Sequence, residues 1–219
     1  MKKVDMIVKA PHFFTMEGEG VGYMTGAAMV VNGGKILGFV GPEEEREYEA
    51  DQVIELSHHA ILPGFIDGHM HTGDAILRGL AQDTNNWMMY GLQPFENAVT
   101  LEDKIAGSRM ALLEAIRNGT TTLGDYWGEM DDVCAFIDKV GARGNITQRV
   151  RAAKYKVYKP GELYEFDDAM GEESLAETIA LYDKWHNRAG GRIKILFGPQ
   201  GVDFLSIELL KKTQKIVRE

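Results

Sequence analysis

Six histidines occur in the 219 residues, and two of them, His69 and His71, are separated by a single residue. Neutral imidazoles are nitrogen donors suited to zinc and other late first-row divalent metals. A bare H-x-H is a weak signal, because two of six histidines can fall two apart by chance. Here the pair closes the apolar run Ala60-Ile61-Leu62-Pro63-Gly64-Phe65-Ile66-Asp67, which reads as a short buried strand. Strand side chains alternate with a period of two, so both imidazoles point to the same side. Asp67 stands two residues before His69, shares that direction, and could orient an imidazole from behind.

Other residues with chemical reach sit at the ends of later strand-like segments. Asp125 and Trp127 follow Thr120-Thr121-Thr122-Leu123-Gly124 and read as rim residues of a pocket. Arg149 and Arg151 end Ala142–Val150, where a guanidinium fork could grip a substrate carboxylate. His58 and His59 read as polar residues at a domain junction, and His12 and His186 as surface or packing residues. The single cysteine, Cys134, lies in a helical stretch with no reactive motif and reads as a buried inert thiol. Met88, Met89 and the other methionines read as core fillers.

The elements that must position these residues fall into two groups. Residues 1–59 read as short strands: Met6-Ile7-Val8, Gly26–Val31, Lys35–Val40 and Gln52–Leu56. Asn32-Gly33 between two apolar runs signals a tight hairpin, since both turn residues tolerate positive φ. The charged stretch Glu43–Glu49 reads as a solvated loop or turn. From residue 60 to 219 strands alternate with helices. Thr100 begins the clearest helix, with Asp103 placed to complete its cap, and Asn118-Gly119 stops it. Asp131–Val140, Glu172–Arg188 and a segment capped by Ser206 read as three more helices. Four strand-then-helix units predict an α/β fold with a parallel sheet. A closed (β/α)8 barrel needs eight such units, so the pattern predicts half a barrel behind a partial β-sandwich. An open four-stranded sheet is the alternative.

Composition limits the partners. There are 24 Lys and Arg against 33 Asp and Glu, a formal charge of −9. Such a surface repels phosphate backbones and anionic lipid, so neither nucleic acid nor membrane is expected as a partner. One cysteine excludes an internal disulfide and favours a reduced, cytoplasmic setting. No apolar run approaches the ~18 residues that span a bilayer, and Met1-Lys2-Lys3 is not followed by a leader-like apolar segment.

The stretch Leu62-Pro63-Gly64-Phe65-Ile66-Asp67-Gly68-His69-Met70-His71 resembles the first barrel strand of the amidohydrolase superfamily. The likeness continues through Leu77-Arg78-Gly79-Leu80-Ala81-Gln82-Asp83, Trp87 and Ala115–Thr122. It is nearest the branch holding adenosine-type, S-adenosylhomocysteine and guanine deaminases and triazine chlorohydrolases. The resemblance implies one divalent metal, zinc or iron, held in part by His69 and His71. It implies an activated water that attacks a ring carbon of a small heterocycle (purine-, pterin- or triazine-like) and expels ammonia, or chloride in the runner-up reading. It implies that Trp87 stacks on the heterocycle, that Glu96 accepts ribose or ring hydrogen bonds, and that Arg149 rather than Arg151 holds a carboxylate. Many relatives carry a histidine where Gln200 stands. Glutamine can donate and accept but cannot change charge near pH 7, a departure compatible with another heterocycle. The family's other ligands and its glutamate proton shuttle come from later strands. A C-terminal half, as continuation or second subunit, is therefore expected to finish the site, and a bare half-barrel is expected to self-associate. A non-catalytic scaffold subunit is the rival from another class.

Overall fold

A computed structural model of the chain describes residues 1–218 except 81, 84, 86, 88–90, 97, 157 and 160. Met88 and Met89 thus lie outside the described residues, as do the side chains of Gln93 and Glu96. The chain forms two compact units, Met1–Pro63 and Gly64–Glu219.

The first unit is built of strands β1 (Lys2–Lys9), β2 (His12–Phe14), β3 (Tyr23–Met24), β4 (Ala28–Asn32), β5 (Lys35–Val40), β6 (Tyr48–Glu55) and β7 (Ala60–Ile61). One sheet has the order β5-β4-β1-β6 and the other β3-β2-β7. Val4, Ile7, Ala28, Val30 and Val40 bury a small core. The hairpin between β4 and β5 turns on Gly33 and Gly34, at φ 59° and 71°, with Asn32 paired to Lys35. The turn is thus one residue later than Asn-Gly, because two adjacent glycines supply both positive-φ positions without steric cost. The charged stretch after it starts as one helical turn, α1 (Pro42–Glu45), with proline at the helix start.

The run from Ala60 to Asp67 is not one strand. Ala60 and Ile61 pair in parallel with His12 and Phe13 in the first unit. Pro63 has no N–H to offer a ladder, and the chain resumes pairing only at Phe65.

The second unit starts there with β8 (Phe65–Met70), followed by a 3-10 segment, Thr72–Leu77, and helix α2 (Gln93–Glu96). Then come α3 (Leu101–Arg117), β9 (Thr120–Trp127), α4 (Asp131–Val140), β10 (Arg143–Val150), α5 (Asp168–Trp185), α6 (Arg188–Gly191), β11 (Ile193–Pro199) and α7 (Ile207–Arg218). The strands lie in sequence order, β8-β9-β10-β11, and every pairing is parallel. Each end strand has one neighbour in this sheet, so the unit is a partial (β/α) barrel rather than a closed one.

Local chemistry sets the helix ends. The Thr100 hydroxyl accepts from the Asp103 N–H at 3.2 Å while Asp103 accepts from the Thr100 N–H at 3.0 Å, a complete capping box. Helix α4 stops at Gly141, left-handed at φ 82°. Helix α5 begins at Asp168, earlier than the apolar spacing predicts, because Asp167 caps the Met170 N–H at 3.1 Å. Ser206 caps α7 through the Leu209 N–H.

The main core lies between the sheet and its helices. Leu112, Leu123, Ile137, Ile146, Ile193 and Ile195 are all buried there. Cys134 is in the same layer, and burial pushes its thiol up to about 12, so it stays protonated. On β10 the residues Gly144, Ile146, Gln148 and Val150 are buried, while Arg143, Asn145, Thr147 and Arg149 between them are not. The same period of two runs through β9 and β11, and it gives the sheet one helix-covered face and one open face.

Candidate functional site

The C-terminal ends of these four strands carry the candidate residues. β8 pairs with β9 irregularly, with register shifts after Phe65 and between Asp67 and Met70. Such a bulge re-aims the side chains that follow it. Close approach of the two strands depends on glycine: a Cβ at Gly124 would sit 2.6 Å from the Gly68 carbonyl oxygen.

His69 and His71 leave the end of β8 with ring centroids 4.7 Å apart and planes at 81°. The His71 Nδ1 lies 2.6 Å from the Tyr126 carbonyl oxygen. A carbonyl can only accept, so that nitrogen carries the proton and Nε2 keeps its lone pair. This is the tautomer a metal-binding imidazole needs, and a hydrogen bond from the second ring nitrogen is the usual way to fix it. Asp67 acts on the main chain instead of on an imidazole: its Oδ1 accepts from the His69 N–H at 3.2 Å.

Asp125 is fully buried, in phase with Leu123 on the helix-covered face of β9, and it also borders the depression lined by His69, Thr122 and Tyr126. It accepts from the Thr72 N–H at 3.1 Å and from the Thr72 hydroxyl. Burial raises its carboxyl above the usual range, and the Thr72 hydrogen bonds and the nearby His71 pull the other way. Trp127 packs its ring 5.3 Å from that of His71.

A stack of cations and rings extends from Trp127 along the strand ends. The Arg149 guanidinium lies 4.7 Å from the Trp127 ring and 5.3 Å from Tyr155. Arg151 follows at 4.4 Å from both Tyr155 and Phe204. Arg151 is buried, donates to the carbonyls of Ala153 and Lys154, and donates to the Gln200 Oε1 at 3.0 Å. Burial lowers its pKa. Arg149 makes no side-chain hydrogen bond or ion pair among the described residues, so its donors remain open to a ligand. Trp87 is 50% exposed, and among the described residues it makes no ring contact with this group. The Glu96 side chain lies outside the described residues. His186 is a packing residue, stacked on Tyr182 and accepting the Ile195 N–H, and His12 pairs with the Tyr23 hydroxyl.

Two imidazoles with one fixed tautomer fit part of a metal site. Zinc takes three or four protein donors. Among the described residues no group of three or more His, Cys, Asp or Glu is placed to hold a metal ion.

With this geometry in hand, similarity to known proteins decides the family. Residues 60–219 match the model of the amidohydrolase family. The chain belongs to that family. The amidohydrolase is 32% identical over 188 residues to a 5-methylthioadenosine/S-adenosylhomocysteine deaminase of Thermoanaerobacter pseudethanolicus, covering 85% of this chain and 41% of that protein. The crystal structure of an adenosine deaminase from Xanthomonas campestris, with bound zinc, superposes at a TM-score of 0.84 and 20% identity. It covers 99% of this chain and 47% of that one. An atrazine chlorohydrolase from Arthrobacter aurescens, complexed with zinc, superposes at 0.78 and 18% identity, covering 97% and 50%. At these identities the two structures establish likeness of fold. The amidohydrolase chain spans about half the length of the proteins it matches. No helix among its described residues is long and apolar enough to cross a membrane.

The structure also brings neighbours to the candidate residues that local sequence patterns do not indicate. Tyr126 was passed over, yet its carbonyl fixes His71 and its ring lies 6.4 Å from that of His69. Gln200 is a residue the sequence singles out, but its bond to Arg151, a pairing across 49 positions, is one that no local pattern announces. Arg149 near the end of β10, with Arg151, Tyr155, Tyr158 and Tyr164 after it, is the hint of the stack in the sequence.

Proposed function

We propose that this chain carries one half of the active site of a metal-dependent hydrolase, and that the reaction is hydrolytic deamination of a nitrogen heterocycle. The observation that carries the reading is the His69–His71 pair at a strand end, with His71 Nδ1 committed to the Tyr126 carbonyl. The His71 Nε2 and a ring nitrogen of His69 are the donors this chain would offer a divalent metal, zinc first and iron second. When bound, such an ion supplies Lewis acidity that brings a water toward ionisation near pH ~7. In the overall reaction a water oxygen bonds to a ring carbon, the C–N bond breaks, and ammonia leaves with the proton the water gave up.

This chain's own residues do the binding and orienting. Trp87 stacks on the ring, with Glu96 as its hydrogen-bonding partner. Arg149, set against the rings of Trp127 and Tyr155, grips an anionic group such as a carboxylate. Gln200, tied to Arg151, offers a neutral amide to the substrate. The remaining metal donors and the proton shuttle come from further βα units, on a continuation of this polypeptide or on a second chain in a cytoplasmic assembly. The small-molecule names of the matched deaminases favour a purine nucleoside class, and the chlorohydrolase likeness keeps a triazine-like ring with chloride as leaving group as the second reading.

The test is to prepare the chain alone and together with histidine-bearing βα units from its downstream or neighbouring coding region. Metal content is measured by elemental analysis, and ammonia and chloride release on a purine, pterin and triazine panel. Turnover is expected only with the added units and is abolished by His69→Ala. Absence of metal and turnover even in the combined preparation would overturn the enzyme reading in favour of a scaffold subunit.

A further inference from the structure

We infer that Asp125 is a positioning residue for His71, acting through Thr72 with Ser108 as a buttress. The inference rests on the reading of His71 as a metal ligand, and it concerns how that imidazole is held. Asp125 is fully buried on β9, in phase with the core residue Leu123. A buried carboxylate persists only when its oxygens are hydrogen-bonded. Each Asp125 oxygen holds Thr72, Oδ1 at its N–H at 3.1 Å and Oδ2 at its hydroxyl, and the Tyr126 backbone N–H adds a further hydrogen bond. The Thr72 hydroxyl also lies 3.1 Å from that of Ser108 on α3. A hydroxyl has one proton. With Thr72 giving its proton to the carboxylate, Ser108 is left as the donor to Thr72.

Thr72 directly follows His71, and Tyr126 directly follows Asp125. Two consecutive residues of β9 therefore grip two consecutive residues beyond β8. Asp125 pins the His71–Thr72 peptide, and the Tyr126 carbonyl takes the ring proton at 2.6 Å. With the peptide fixed, the imidazole has one orientation in which Nδ1 reaches that carbonyl and Nε2 faces outward. Without the carboxylate the peptide is free to turn, and the ring loses its reason to prefer one tautomer.

The test uses the 15N-labelled 219-residue chain, with Zn2+ alone as the probe. Ring 15N shifts report the His71 tautomer, a Zn2+ titration reports affinity, and thermal unfolding reports stability. In the unaltered chain His71 is expected in the Nδ1–H form. Asp125→Asn is expected to mix the two tautomers at His71, leave His69 unchanged, and weaken Zn2+ binding about 10- to 100-fold, the usual cost of losing a support behind a ligand. Thr72→Val keeps the side-chain shape and one of the two bonds, and Ser108→Ala keeps both, so their losses should descend in that order. These milder variants decide the matter if Asp125→Asn does not fold. The proposal is overturned if the variants lower the melting temperature while His71 stays Nδ1–H and Zn2+ affinity stays within about twofold. If the unaltered chain binds no Zn2+ but the tautomer still scrambles in the variants, the positioning role stands, and the metal-ligand reading is decided by Zn2+ binding in the preparation that contains the added βα units: no binding there overturns it.

Discussion

The two faces of the β8–β11 sheet are made by the same strands and do opposite work. The helix-covered face buries Leu123, Ile146, Ile193 and Ile195 almost completely. The open face leaves Ile66 at 73% and Leu196 at 49% exposure, beside Thr122, Asn145 and Thr147 in a depression of about 210 Å³. Adjacent residues on one strand differ only in which way they point. Stability is therefore concentrated on one side, and the groups with chemistry, His69, His71, Tyr126 and Arg149, are free to project from strand ends and the other side. Asp125 couples the two: it is a polar residue on the packed face, and it holds buried Thr72, whose neighbour His71 is exposed.

The largest test of this contrast compares two aliphatic truncations on neighbouring strands. Ile146→Ala on β10 removes a fully buried side chain and should destabilise by about 2–5 kcal/mol. Leu196→Ala on β11 removes a side chain already half in water and should cost below about 1 kcal/mol. Denaturant unfolding of the second unit measures both. Equal costs would mean that the open face is packed in solution, and self-association of the chain would then be the first thing to measure.

Next in size is Gly124→Ala. The new methyl would meet the Gly68 carbonyl carbon and oxygen at 2.8 and 2.6 Å, backbone atoms that cannot turn aside. The strands must part, at about 1–3 kcal/mol, a typical cost of overpacking. Because Gly68 adjoins His69, Zn2+ affinity should fall together with stability. A stable variant with unchanged Zn2+ binding would show that β8 and β9 are less tightly joined at the site than their register implies.

Much of this architecture could be read before any coordinates. The Thr100 cap, the Gly141 stop and the alternation of strands and helices are local signals, each set by residues within a few positions of one another, and the structure carries all three. The H-x-H pair was legible because strand periodicity fixes side-chain direction. What escaped depends on neighbours far apart in sequence. The split at Pro63 follows from pairing with His12 and Phe13, about 50 residues away. The placement of Asp125 on the packed face and the Arg151–Gln200 bond depend on which of two faces a residue takes and what lies across from it. Periodicity gives the alternation but not which phase meets the helices.

The smallest effect concerns Tyr126 on the open face. Its ring lies where Gly198 has no side chain: a Cβ there would come within 2.7 Å of the Tyr126 Cε2. Its hydroxyl is buried and has no hydrogen-bond partner among the described residues. Burial pushes the phenol up to about 12, against the pull of Arg149, so it is neutral at any working pH. Removing an unpartnered buried hydroxyl forfeits no hydrogen bond and relieves a desolvation cost. Tyr126→Phe keeps the ring contacts and the carbonyl that fixes His71, so the chain should be unchanged or up to about 1 kcal/mol more stable. Tyr126→Ala should be destabilising, since it empties the space over Gly198. If Tyr126→Phe instead lowers stability by more than about 1 kcal/mol in urea unfolding, the hydroxyl has a partner in solution. The open face would then be satisfied by something bound to it, a second chain or ordered water, and not bare.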